Sequence, residues 1–125
     1  MSDLYILKLA SQQTRWLSAR EALTASNIAN ANTPGFRARD IQPFADTISV
    51  MNISMALTDK AHLAPDGGNS WNARPFEMKE REPSLSGNSV DLEHELAKIG
   101  DIGRAYSLNT NIKRVIHQML SASVK

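Results

Sequence analysis

The sequence predicts a mainly α chain, with long N- and C-terminal helices pairing as a coiled-coil-like layer around an irregular central segment. Three observations predict it. Residues 1–31 contain neither glycine nor proline. Residues 32–88 hold all five prolines and four of the six glycines. Helix-forming residues then dominate again across 89–125. The chain therefore reads as one assembly domain in three parts, 1–31, 32–88 and 89–125, with a turn motif at 32–36.

In the first part, Ile6, Leu9, Trp16, Leu23 and Ile28 fall on roughly one helical stripe, with Leu17, Ala19, Ala22 and Ala25 beside it. Gln13 and Arg20 interrupt that stripe. Such a seam is weak alone and acceptable where several helices share it. A helix over Asp3–Ala31 would run about 40 Å at 1.5 Å per residue, long for a chain of this size. Asn32-Thr33-Pro34-Gly35 stops it, because Pro34 biases Thr33 out of the helical region and Pro34-Gly35 suits the centre of a type II turn. Asn32 is expected to cap the freed backbone groups. Asn27 and Asn30 either do the same or bond to an adjacent subunit. Phe36 then folds back as an apolar anchor.

The central part reads as loops at Asp66–Ser70 and Glu82–Gly87, with a short extended piece within Trp71–Met78. A modest helix is expected over Phe44–Leu57, where Phe44, Ile48, Met51 and Met55 recur at helical steps.

The last part is expected to begin with Asn88 as cap and Asp91 reaching back, with Asp91 and Glu93 suiting the positive first turn. Leu92, Leu96, Ile99, Ile102, Tyr106, Ile112, Val115, Ile116, Met119 and Leu120 make a broad apolar face. Gly100 and Gly103 each cost about 1 kcal/mol relative to alanine, a cost that fits close approach by a neighbouring helix. Trp16 and Tyr106 need partners for their polar atoms if buried. Two helices alone bury little, so the chain is expected to complete its core by packing with other chains.

Composition excludes several functions. Fourteen Lys plus Arg against thirteen Asp plus Glu give no basic surplus for nucleic acid or anionic lipid. The absence of cysteine removes disulfides, thiolate metal sites and cysteine nucleophiles. No run approaches the ~18 apolar residues of a direct membrane span, and the start lacks the basic and apolar regions of a cleaved signal peptide. His62, His94 and His117 are scattered without metal spacing, and Gly67-Gly68 lacks the lysine and helix of a phosphate loop. Glu77, Glu80, Glu82, Glu93 and Glu95 sit among lysines and arginines or on a solvated face, a poor setting for a catalytic pair. The expectation is a non-enzymatic protein without cofactor or metal.

The stretch Asn27–Phe36, N-I-A-N-A-N-T-P-G-F, resembles the motif shared by the rod and hook family of flagellar axial proteins. Leu9–Leu17 with Arg20, Phe36–Asp40, Thr58–Leu63 and Gly87–Glu93 are each similar to segments of the family's proximal-rod members, in the same order. The resemblance implies a structural subunit of the bacterial basal-body rod, completed by assembly into a helical rod and contributing to motility. It implies export by the flagellar type III apparatus without a cleaved signal peptide, and a location in the rod on the periplasmic side of the inner membrane. It also implies partners: copies of itself, other rod subunits, the rod–membrane-ring adaptor, the membrane ring and the export gate. Leu9, Trp16, Leu23, Asn27, Asn30, Asn32, Pro34, Gly35, Phe36, Leu92, Leu96, Ile99, Tyr106 and Ile116 are the expected assembly residues. Phe44 and Ile48 form an aromatic-x-x-x-aliphatic step that looks like an export-gate recognition motif, and equally like one turn of an amphipathic helix. The competing class is another helical interaction protein, such as a secretion-system adaptor or needle subunit. Such proteins lack the Asn-rich Thr-Pro-Gly and Gly-Asn-Ser-Val-Asp-Leu elements together.

Overall fold

The computed structural model describes residues 2–51, 74–78 and 83–124. Helix α1 spans Ser2–Ala29, strand β1 Arg39–Ile41, helix α2 Phe44–Met51, strand β2 Pro75–Glu77 and helix α3 Leu92–Ser123. The two long helices pack side by side and antiparallel. Asn27, near the end of α1, meets Glu95 near the start of α3, whereas Ala10 and Thr14 meet Asn109. The mainly α plan with a short irregular middle is as expected.

Two boundaries differ from expectation. Helix α1 stops at Ala29, where the Asn30 amide Nδ2 donates to the Ser26 carbonyl at 2.8 Å. Asn30 thus caps the helix, while Asn32 stands exposed beyond it. Helix α3 begins at Leu92, and its cap is Asp91. The extended backbone of Asp91 lets its carboxylate accept from the Glu93 and His94 N–H groups at 2.9 and 3.4 Å. Asn88 is not the cap because it lies three residues before Asp91 and its Oδ1, the atom that would cap, accepts from the Val90 N–H at 2.8 Å ahead of the helix.

Strands β1 and β2 pair antiparallel with Arg39 opposite Glu77, Asp40 opposite Phe76 and Ile41 opposite Pro75. The extended piece within Trp71–Met78 is therefore present at Pro75–Glu77, and its partner strand is an addition that residue pattern did not suggest. Helix α2 begins at Phe44 as expected. The rest of the Phe44–Leu57 expectation beyond Met51, with Met55, lies outside the described residues, as do His62 and the Asp66–Ser70 loop.

The core is small. Trp16, Leu17, Ile41 and Ile102 are buried together, flanked by Ala19, Leu23, Phe44 and Ala105. Trp16 ties α1 to α2 and to the link between β1 and α2. Its ring lies 6.0 Å from that of Phe44, its Nε1–H donates to the Gln42 carbonyl at 2.8 Å, and the Arg20 guanidinium sits 5.2 Å above it. The polar atom of Trp16 is thus satisfied inside the chain.

Candidate functional site

The seam between α1 and α3 is polar, and this decides where the apolar residues of α3 can go. On α1, Ala10, Leu17 and Thr24 recur every seven residues and are buried. On α3, Glu95, Ile102 and Asn109 recur at the same interval, with Lys98 and Ala105 between them. Ile102 is the sole fully buried hydrophobic residue among the described residues of α3.

At the lower end of the seam four charges and an amide interlock. Arg20 grips Asp40 in a two-pronged pair, Nε to Oδ1 and Nη2 to Oδ2, both at 3.0 Å. Lys98 Nζ lies 3.2 Å from Asp40 Oδ2 and 3.0 Å from Glu95 Oε1. Its ammonium also reaches Met78 Sδ at 3.9 Å. Asn27 Nδ2 donates to Glu95 Oε2 at 3.1 Å and to the Arg39 carbonyl at 2.8 Å, while its Oδ1 accepts from the Arg39 N–H at 3.0 Å. The cluster joins α1, β1 and α3, and its two cations balance its two anions. Burial by itself pushes the Asp40 carboxyl up, but the hydrogen bonds from Arg20 and the Ile41 N–H, with the charges of Arg20 and Lys98, hold it below its ordinary value.

Further up the seam, Asn109 Nδ2 donates to the Ala10 carbonyl at 2.7 Å and to Thr14 Oγ1 at 2.8 Å. Lys113 Nζ donates to the same hydroxyl at 2.9 Å.

A second joint brings together the two sequence motifs at 32–36 and 87–93. The Phe36 N–H donates to the Thr33 carbonyl at 3.3 Å, closing a type II turn whose third residue, Gly35, has φ +72°. The Gly35 N–H donates to the Ser86 carbonyl at 2.9 Å and the Ser89 N–H to the Phe36 carbonyl at 3.1 Å. Asn88 fastens the joint, its amide donating to Asn30 and Thr33 and its Oδ1 accepting from Val90. Gly87 has φ +78°, and a Cβ there would lie 3.4 Å from Gly35 Cα. The two glycine backbones touch, so both motifs serve one contact.

The expected assembly residues therefore separate into two groups. Trp16 and Asn27 are buried within the chain, and Leu9, Leu23, Asn30, Phe36 and Ile116 are half-buried. Asn27 directs its amide to Arg39 and Glu95 of its own chain. Pro34 and Gly35 are exposed beside Asn32. Leu92, Leu96, Ile99 and Tyr106 all face outward, with Leu96 60% exposed. Phe44 and Ile48 are half-buried, Phe44 against Trp16. Gly103 has open space where a side chain would stand, and Gly100 meets only the end of Arg104, so among the described residues no other helix approaches either. Residue-type reasoning missed Glu95, Lys98, Asp40 and Asn109. The available signal was the seven-residue recurrence of Glu95, Ile102 and Asn109.

Among the described residues no group of His, Asp or Glu could hold a metal ion, and no helix is long and apolar enough to cross a membrane. A slender helix pair with a polar seam and an uncovered apolar side has the form of a structural assembly protein. Residues 17–37 match the family model described as flagella basal body rod protein. The chain is 37% identical to the flagellar basal body rod protein FlgB of Agrobacterium fabrum over 133 residues, covering 100% of this chain and 96% of that relative. It is 27% identical to the Salmonella typhimurium protein of the same name, covering 85% and 83%, and 27% identical to the Escherichia coli one, covering 82% and 80%. The chain belongs to the flagellar basal body rod protein family. It is a structural subunit of the rod and not an enzyme.

Proposed function

We propose that this subunit builds the proximal rod, linking the membrane ring and export-gate region to the distal rod. The outward apolar side of α3 is the observation that carries this reading. Leu92, Leu96, Ile99 and Tyr106 stand in water although the polar seam beside them is buried, so the helix pair is completed by packing against copies of itself and other rod subunits. The exposed Asn32, Pro34 and Gly35 add a turn surface to that contact. Transit is through the flagellar type III apparatus. The subunit comes to rest on the periplasmic side of the inner membrane, against the rod–membrane-ring adaptor. The small core and the absence of cysteine suit a chain that travels unfolded and gains its burial on assembly.

In the unfolded chain, Phe44 and Ile48 are free of Trp16 and available to the export gate. A Phe44→Ala, Ile48→Ala double variant is expected to lose secretion, and normal secretion would remove that role. The wider test is deletion of the gene in a motile host, with purified basal bodies imaged and swimming scored. Membrane rings without a rod, restored by the returned gene, are expected. Intact rods and normal swimming would overturn the proposal.

A further inference from the structure

Beyond Ile102, helix α3 offers α1 two apolar sides, and α1 takes the less apolar one. On the seam side stand Ala105, Asn109, Ile116 and Leu120. About a quarter turn round, at 3.6 residues per turn, Leu108, Ile112, Val115 and Met119 form a ridge of large apolar side chains, all exposed. Tyr5 and Ile6, near the start of α1, are exposed as well. Apolar burial alone would swing the start of α1 onto the ridge, because more apolar area leaves water there.

Asn109 opposes that swing. It is 3% exposed, and its Nδ2 donates twice to α1, to the Ala10 carbonyl at 2.7 Å and to Thr14 Oγ1 at 2.8 Å. Those two acceptors lie one turn apart on α1, so the short amide meets both only where α1 lies on the seam side. Lys113 Nζ reaches the same hydroxyl at 2.9 Å, but on a long flexible stem that follows the hydroxyl and does not place it. The buried apolar cluster holds α1 no nearer its start than Trp16. Among the described residues, the side-chain hydrogen bonds from α3 to α1 before Trp16 come from Asn109 and Lys113 alone.

We propose that Asn109 selects which side of α3 receives the first half of α1, and so keeps the ridge from Leu108 to Met119 outward. A buried asparagine in an otherwise apolar helix pair fixes how the helices meet at a cost in stability. Asn109 is thus a specificity-determining residue of the fold, and stability is not what it supplies.

The chain has no cysteine, so Ser11→Cys and Ser107→Cys, at two exposed positions near the level of Asn109, take spin labels specifically in the full chain. This parent is expected to show one narrow label distance. Asn109→Leu keeps the volume and removes the donors. It is expected to add a second, resolved distance, with helicity retained and a urea midpoint at or above the parent's, because an apolar residue replaces a buried polar one. Adding Leu108→Lys charges the ridge and is expected to restore the single distance, a rescue that a merely structural loss would not permit. One unchanged distance in Asn109→Leu would overturn the proposal. So would a second distance that survives Leu108→Lys, or a lowered midpoint. In cells, Asn109→Leu is expected to reduce the number of rods, a consequence that rests on reading the outward side of α3 as an assembly surface. Normal rods beside two label distances would leave the choice of side with Asn109 and overturn that reading alone.

Discussion

Asp40 is the residue on which the lower joint turns. It accepts from Arg20, lies against Lys98, and bonds the Ile41 N–H at 2.8 Å, all from a buried position. Because its folded pKa lies below the ordinary 3.8, its contribution to stability is complete above that value. The contribution is lost as pH falls through the folded value. Asp40→Asn keeps the shape and removes the charge, leaving Arg20 and Lys98 short of a counter-ion. A loss of about 3 kcal/mol at pH 7 is expected, at the lower end for a broken buried pair because Arg20 reaches water. Urea titrations across pH would show it, together with a flatter acid limb than wild type. At the second joint, Gly87→Ala adds a Cβ to a left-handed residue against Gly35. A cost of about 1–2 kcal/mol is expected, read as a lower urea midpoint at unchanged slope.

At the scale of elements, the polar seam has a consequence for the apolar face of α3. Burying Glu95, Lys98 and Asn109 against α1 fixes the rotation of α3 about its own axis. Were α3 to turn its leucines onto α1, those polar groups would have to regain partners in water and the Asn27 and Asp40 bonds would break. Uncompensated loss of such bonds costs about 1–3 kcal/mol per group. The seam thus keeps the leucines outward for partners. Two substitutions separate the faces. Leu23 packs against the buried cluster, so Leu23→Asp is expected to lower the melting temperature of the isolated chain as well as block rods. Leu92→Asp, on the exposed side, is expected to leave melting within error and still block rods in cells. Equal melting of both variants would contradict the assignment of faces.

For the whole molecule, a thin two-helix body with a small core depends on neighbours for most of its burial. Excess Leu96→Asp chain in a wild-type cell is therefore expected to reduce the fraction of cells that swim. Undiminished swimming would mean that such copies are not incorporated.

Long elements and their stops were readable in the residues themselves. Runs without Gly or Pro produce α1 and α3, and Pro34-Gly35 forces the turn at Thr33–Phe36, because backbone preferences of this kind are local. Motif resemblance alone was enough to place the chain among rod proteins, and the relatives confirm it. Residue pattern failed on the ends of the helices and on the direction of α3's faces. Asn88 has the chemistry of a cap, but its Oδ1 accepts from the Val90 N–H ahead of the helix, and its NH2 group is held by Asn30 and Thr33, more than fifty positions away. The apolar face expected along α3 outweighs Glu95, Lys98 and Asn109 in any periodicity, yet of that face only Ile102 is fully buried, beside the polar trio. Those three find partners only once Asn27, Asp40 and Ala10 arrive from elsewhere in the chain. Composition and local stereochemistry therefore determined which segments are helical, whereas tertiary structure decided which side of each helix is inside, because a polar group's burial depends on partners distant in sequence.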